Sequence, residues 1–190
     1  MNSSRSFEYL ERNLQRKHCE KLLVNKPNGL IVERDSRRYY PHGNLAAQAI
    51  GFVDLDDKGI SGIEQKYNSY LTGAPGWVVR QMSGRGNTRY KTNLPQKPPV
   101  DGASIQLTID LEYQAILQEE LAMQVEKTSA SSAMGLILNP QTGDILAMAT
   151  VPDFDPNYPG RGEIGWQRNK VITDQFEPGS TFKIVPITGA

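Results

Sequence analysis

Ser180 and Lys183 stand three residues apart in the segment FEPGSTFKIVP, Phe176 to Pro186. On a helix that spacing puts both side chains on one face. A serine hydroxyl is a poor nucleophile until a neighbouring base takes its proton, and a lysine amine can do so when desolvation or nearby positive charge holds it neutral. Ser-x-x-Lys is therefore a compact nucleophile and base pair for acyl transfer. Glu177, Pro178 and Gly179 supply a rigid approach, and Ser180 is expected near a first helical turn, where free N–H groups favour a developing negative charge. Spacing alone is weak. With 12 serines and 10 lysines in 190 residues, chance gives about 0.6 such pairs, and the common alternative is a helix cap beside a solvated lysine.

Such a pair works only when other elements hold it in place. A length of 190 residues allows one full domain, or a small domain with part of another. The hydrophobic share of 38% and charged share of 22% can build a core and exclude wholesale disorder. The net charge is zero, which argues against a nucleic-acid-binding surface. The distribution is uneven: residues 1–100 carry a balance of +7 and residues 101–190 a balance of −7. The Pro-rich stretch LPQKPPVDG lies where the sign changes, so the expected division is 1–98 and 99–190. A basic first unit suits an anionic membrane or polymer, or is simply a solvated face. Cys19 is the only cysteine, so an intrachain disulfide and a Cys cluster are both excluded, and His18 and His42 lack a metal-ligand spacing. No run approaches the ~18 apolar residues of a spanning helix, and no signal-peptide core follows the charged start. The chain as given is expected to be soluble, with no export signal.

Phe7, Leu10, Leu14 and Leu22 recur at helical intervals and predict an amphipathic helix from about Ser6 to Val24, followed by a turn at Pro27 to Gly29 and a short strand at Leu30 to Val32. Leu45, Ala49 and Ile50 predict a short helix stopped at Gly51. Ser61 and Glu64 form a capping box ahead of the stripe Ile63, Tyr67, Tyr70 and Leu71, with Gly73 as a left-handed stop. Trp77–Met82 and Thr88–Lys91 read as strands around the turn SGRGN, and Ile105–Ile109 as another. Asp110 is the expected N-cap of a helix reaching about Glu126, its buried side carrying Ala115, Leu117, Leu121 and Val125. SAMGLILNPQTGDILAMATV reads as a β-hairpin, and Val151–Arg168 as an irregular surface excursion.

EPGSTFK, the upstream WQRNKVITDQ and the hairpin ending in VPDFDPN together resemble the start of the transpeptidase domain of class B penicillin-binding proteins. Upstream, RYYPHGNLAAQAIGF and GISGIEQKYNSYLTGAPG resemble two motifs of that family's non-catalytic pedestal, or dimerisation, domain. Chance does not explain five blocks in collinear order from about Arg38 onward. The wording RN-x-VITDQFEPGSTFK is more similar to the division-type branch than to the elongation-type branch. The implied fold is α+β: a partial pedestal domain over 1–98, then the N-terminal part of a transpeptidase domain over 99–190.

The resemblance implies a bacterial peptidoglycan D,D-transpeptidase that works through an acyl-serine intermediate. Ser180 would be the nucleophile and Lys183 its proton acceptor, with the Ser180 N–H as half of an oxyanion hole. Implied partners are the stem peptide ending in D-Ala-D-Ala, β-lactams that imitate it, and membrane proteins of cell-wall synthesis; no cofactor, metal or nucleic acid is implied. The implied location is the extracytoplasmic face of the inner (cytoplasmic) membrane. Two alternatives share these residues: a β-lactam hydrolase or sensor with the same pair, and a non-catalytic pedestal module that docks other proteins. The family also needs a Ser-x-Asn motif, a Lys-Thr-Gly strand, an N-terminal membrane helix and an Arg-Gly motif. Lys91-Thr92-Asn93 lacks the glycine and lies upstream, so the chain is expected to be an internal fragment.

Other residues carry weaker signals. Arg38, Tyr40 and Pro41, with Gly51, Gly62 and Glu64, are expected either as a polar junction joining the pedestal to the catalytic domain or as simple turn and cap residues. Trp77 and Trp166 read as core or loop anchors, and Asp153, Asp155 and Asp174 as turn residues rather than a metal site. The hairpin is expected to leave an open sheet edge with unpaired backbone groups. The 190-residue polypeptide by itself is expected to form no stable acyl-enzyme with a labelled penicillin. Stoichiometric labelling that disappears in Ser180→Ala would contradict this.

Overall fold

The computed structural model describes residues 8–12, 14, 16–24, 27–33, 36–79, 81–82, 88–89 and 94–189. In chain order its elements are helices α1 (Arg16–Val24), α2 (Ala47–Ile50), α3 (Gly62–Lys66) and α4 (Asn68–Leu71), and strands β1 (Trp77–Val78), β2 (Gln81–Met82), β3 (Thr88–Arg89) and β4 (Gln96–Lys97). Helix α5 (Leu111–Thr128), strands β5 (Ala133–Leu138) and β6 (Ile145–Val151), and helices α6 (Lys170–Thr173) and α7 (Ile184–Thr188) follow. Short 3-10 helices occupy Pro159–Arg161, Ile164–Gln167 and Gly179–Lys183. The contacts divide the chain into two compact units, Met1–Pro41 with Ile50–Gln106 and His42–Ala49 with Leu107–Ala190.

In the first unit the opening helix starts at Arg16 rather than near Ser6. Ser6 and Phe7 lie outside the described residues, and of the predicted stripe Leu10 is 83% exposed while Leu14 is half-buried. Arg12 instead reaches Asp56 Oδ1 at 2.7 Å and the Leu55 carbonyl at 3.0 Å. The turn at Pro27 closes as expected, with Leu30 N–H donating to the Pro27 carbonyl and Gly29 at φ +90°. Leu30–Val32 is not a strand, and no ladder partner stands beside it among the described residues.

Ser61 is the N-cap of α3, but the expected capping box does not close. Arg38 takes the Glu64 carboxylate through both oxygens, Nε to Oε1 at 2.8 Å and Nη2 to Oε2 at 3.0 Å. A forked, charge-assisted pair outcompetes a bond to one backbone N–H. Ser61 Oγ is left buried with no hydrogen-bond partner. The pair raises the Arg38 pKa, chiefly through the Glu64 hydrogen bond. Tyr40, 8% exposed, faces the same carboxylate, and its phenol pKa is raised first by burial and next by the Glu64 charge. Arg38, Tyr40 and Glu64 thus form a polar cluster within the first unit. Gly51 lies against the start of α3, where a Cβ would fall 1.9 Å from the Ser61 carbonyl oxygen, and its φ is +80°.

The single helix expected after Ser61 breaks at Tyr67 into α3 and α4, and Tyr70 is 65% exposed. Gly73 is no left-handed stop: it is absent from the positive-φ residues, and its role is close approach, since a Cβ there would lie 2.1 Å from the Val100 carbonyl oxygen. Antiparallel pairs join β1 to β4 and β2 to β3. The turn SGRGN and Lys91-Thr92-Asn93 lie outside the described residues.

In the second unit Asp110 caps α5, its carboxylate accepting from Glu112 N–H at 2.8 Å and Tyr113 N–H at 3.3 Å. Ser129 at φ +54° ends that helix. The hairpin forms as expected, with Gly135 opposite Ala149 and Ile137 opposite Ala147. The small residues Gly135, Ala147 and Ala149 form a floor for α5, and a Cβ on Gly135 would lie 2.8 Å from Leu117 Cδ1. The buried side of α5 differs from expectation. Gln114 and Gln118 are its buried residues, while Ala115, Leu117, Leu121 and Val125 are half-buried.

The outer edge of β6 explains why. Alternate residues of an antiparallel strand direct their backbone groups to the same edge. The Leu146 carbonyl accepts from Asp110 N–H at 2.8 Å. Gln114 binds both backbone groups of Met148, donating from Nε2 at 2.9 Å and accepting at Oε1 at 2.9 Å, much as a neighbouring strand would. The Thr150 carbonyl accepts from Gln48 Nε2 at 3.1 Å. The open edge expected of the hairpin is therefore closed along β6. Ile105–Ile109 is not a strand; within it Thr108 Oγ1 donates to the Ile145 carbonyl at 2.7 Å. Val151–Arg168 is only partly a surface excursion, because Phe154 is 5% exposed.

Two stability measurements follow from these contacts. Gln114→Leu keeps the volume but strands two buried backbone groups, so a loss of about 3 kcal/mol is expected in urea denaturation; a loss under about 1 kcal/mol would show that the edge is not held this way. Arg38→Met leaves Glu64 unpaired at 8% side-chain exposure. The expected loss is about 2–3 kcal/mol, below that of a fully buried pair because the guanidinium is partly solvated. Adding Glu64→Leu should recover most of it, and equal losses in the single and double variants would rule the ion pair out as the cause.

Candidate functional site

Ser180 and Lys183 fall on the 3-10 helix Gly179–Lys183, not on an α-helix, and α7 begins at the next residue. In a 3-10 helix residues three apart eclipse one another, so the two side chains share a face even more closely than α geometry requires. Gly179 at φ +54° turns the chain into this helix, a conformation that a side chain would strain. Both Ser180 and Lys183 are exposed, and neither side chain hydrogen-bonds to another described residue. The flanking apolar side chains are exposed as well: Phe176, Phe182, Ile184, Val185 and Ile187.

The approach to this turn is ordered. Arg168 pairs with Asp174 at 2.7 Å, and the Asn169 carbonyl accepts from the N–H groups of Ile172 and Thr173, closing α6 into a short loop. Asn169 Nδ2 also lies 3.0 Å from Met148 Sδ on β6. Trp166 is a half-buried loop anchor whose ring lies beneath Gly162; Trp77 is 53% exposed on β1 and is no core residue.

The three aspartates weighed as a carboxylate site have separate structural tasks. Asp153 Oδ2 accepts from Asn44 Nδ2 at 2.9 Å and Gln118 Nε2 at 2.8 Å, Asp155 holds the Asn157 turn, and Asp174 holds Arg168. Among the described residues no group of three or more His, Cys, Asp or Glu side chains could hold a metal ion, and no helix is long and apolar enough to cross a membrane. A shallow cavity of about 360 Å³ is lined by residues including Asn44, Asp153, Tyr158, Arg161 and Trp166, with Arg161 stacked 4.0 Å over the Tyr158 ring. Ser180 and Lys183 do not line it.

Sequence reasoning missed Gln48, Gln114 and Gln118. The available signal was a pair of glutamines four apart on the helical face that also carries Leu117 and Leu121, polar side chains at positions where a core is expected.

Comparison with known proteins agrees with this architecture. The family model of the penicillin-binding protein dimerisation domain matches residues 3–107, and that of the penicillin-binding protein transpeptidase domain matches residues 133–190. The chain belongs to the class B penicillin-binding proteins, and carries a stretch of their dimerisation domain followed by a stretch of their transpeptidase domain. It is similar to PenA of Neisseria gonorrhoeae, named as a probable peptidoglycan D,D-transpeptidase: 37% identity over 180 residues, covering 94% of this chain and 31% of PenA. To the peptidoglycan D,D-transpeptidase FtsI of Escherichia coli K12 it is 34% identical over 182 residues, covering 96% of this chain and 31% of FtsI. The crystal structure of a peptidoglycan synthetase from Bifidobacterium adolescentis matches with a TM-score of 0.64 and 29% identity, over 80% of this chain and 28% of that one. The chain thus spans about a third of the length of these curated relatives.

Proposed function

We propose that the protein carrying this chain is a division-type peptidoglycan D,D-transpeptidase, with Ser180 as its nucleophile and Lys183 as the base that activates it. The observation that carries this reading is the placement of both residues on one face of a single 3-10 turn, inside the segment matched by the transpeptidase model. Ser180 Oγ attacks the carbonyl of the penultimate D-Ala of a stem peptide while Lys183 Nζ accepts the hydroxyl proton. The Ser180 N–H stabilises the oxyanion as one of two donors. The bond to the terminal D-Ala nitrogen breaks and D-Ala leaves with a proton; an amine of a neighbouring strand then attacks the acyl-serine carbonyl, the bond to Ser180 Oγ breaks, and the amine's proton returns to the serine oxygen. A β-lactam follows the first half of this path and stops at the acyl-enzyme.

The same reading assigns residues 1–98 to a pedestal and 99–190 to the beginning of the catalytic domain. It puts the site on the extracytoplasmic face of the inner membrane, among other membrane proteins of cell-wall synthesis. A stand-alone β-lactam hydrolase or sensor is the weaker reading, because the match over residues 3–107 supports a pedestal that such an enzyme does not need.

The test is acylation of the full-length gene product by a fluorescent penicillin. Stoichiometric labelling is expected, with none in Ser180→Ala and an acylation rate ~10²- to 10⁴-fold lower in Lys183→Ala. Labelling that survives Ser180→Ala would place the nucleophile elsewhere. Steady release of hydrolysed penicillin, rather than a stable adduct, would favour the hydrolase.

A further inference from the structure

Gln48 is 5% exposed and takes no part in the chemistry assigned to Ser180. Its single Nε2 group donates to two backbone carbonyls, Thr150 at 3.1 Å near the end of β6 and Trp166 at 3.1 Å in the 3-10 helix Ile164–Gln167. One side chain therefore sets the spacing between a sheet strand and the loop that leads to the nucleophile. Two residues past Trp166 the Arg168–Asp174 pair closes α6, and Ser180 follows six residues after Asp174.

Gln48 is itself held firmly. Next to it in the chain, Ala46 and Ala47 are 2% and 0% exposed, and Ala46 sits at φ +54°, a conformation that costs a side-chain residue energy and persists only when its surroundings impose it. Gln118 imposes it, accepting from Ala46 N–H at Oε1 (3.0 Å) and donating from Nε2 to the Asn44 carbonyl (3.2 Å) and to Asp153 (2.8 Å). Two polar atoms, Thr150 Oγ1 on the strand tied to Gln48 and Asn169 Oδ1 three residues past Trp166, are buried with no hydrogen-bond partner. Buried polar groups left unpaired are expected where geometry takes precedence over stability.

We propose that Gln48 is a positioning residue for Ser180. By pinning the Trp166 carbonyl to β6 it fixes the start of the segment that presents the nucleophile. This inference rests on the reading of Ser180 given above.

The experiment uses the full-length gene product and a fluorescent penicillin, with the saturation constant and the limiting acylation rate measured separately. Gln48→Leu keeps a similar volume and removes both N–H donors. The expected result is a limiting rate lower by about tenfold or more with a saturation constant within about twofold, since misplaced reacting atoms cost rate more than binding. A limiting rate equal to wild type, measured well below a lowered thermal midpoint, would show that Gln48 only supports the fold and would overturn the proposal. Gln48→Glu is the second variant, should the first not fold. Its introduced carboxyl can donate one hydrogen bond when protonated, and when ionised faces two carbonyl oxygens. The ratio of its limiting rate to wild type should therefore fall as pH rises, and a ratio constant with pH overturns the proposal. A wild-type protein that takes no label, or a Ser180→Ala variant that keeps it, identifies failure of the parent reading and removes this inference with it.

Discussion

Strand β6 is a central strand by composition and an edge strand by position, and the second unit is arranged around that conflict. Ala147, Met148, Ala149, Thr150 and Val151 are all buried, so water cannot serve the backbone groups on the side away from β5. The solution is a substitute strand made of parts: the backbone N–H of Asp110, the two ends of the Gln114 amide, and the donor end of the Gln48 amide. Each contributor comes from a different element, so satisfying one strand edge fixes α5, the Thr108–Asp110 segment and the 42–49 segment together. The small residues facing α5 belong to the same constraint. Only with Gly135, Ala147 and Ala149 beneath it can the helix approach closely enough for Gln114 to reach the backbone of Met148.

How much of this was legible in the sequence depends on the range of the interaction. The Asp110 cap, the Pro27 turn and the hairpin of β5 and β6 were readable because their donors and acceptors lie within a few residues. Gln48 was not readable as a partner of Thr150, because 102 residues separate them and nothing local distinguishes this glutamine from a solvated one. The capping box failed for the same reason in reverse. Ser61 and Glu64 had the right local spacing, yet Arg38, 26 residues upstream, offered the carboxylate a stronger partner. The change of charge sign near residue 100 marks the Pro-rich stretch, whereas the compact units part at Gln106 and the 42–49 segment joins the second. Charge patterning reports surfaces, and that segment belongs to its unit through buried amides.

At the site itself the order of legibility was reversed. The type and spacing of Ser180 and Lys183 were the easiest features to read, and their helix type was the least secure. A 3-10 turn and an α turn both place residues three apart on one face, so the shared face survives the difference. The surroundings do not follow from the motif. Phe176, Phe182, Ile184, Val185 and Ile187 lie uncovered, so this turn, as the chain presents it, has an apolar flank in water beside an exposed amine. Local sequence encodes the orientation of the pair, whereas the dielectric around it depends on packing that the motif does not specify.

The choice of neutral amides over charged groups in the second unit has a physical basis. A carboxylate or ammonium at the depth of Gln114, which is 0% exposed, would carry a desolvation cost that two backbone partners cannot offset. An amide carries a donor and an acceptor on one planar group, and so matches the alternating N–H and C=O of a strand edge without introducing charge. Asp153 is the exception that fits the rule: it lies at the margin of the network, where Asn44 is exposed, and receives two amide donors. The first unit meets its own requirement differently, with Arg38 reaching Glu64 from a position that retains solvent contact. Charge is used where water still reaches one partner, and amides are used where it does not. The Gln48 bridge lies in the second regime, where the geometry it sets is insensitive to ionic strength.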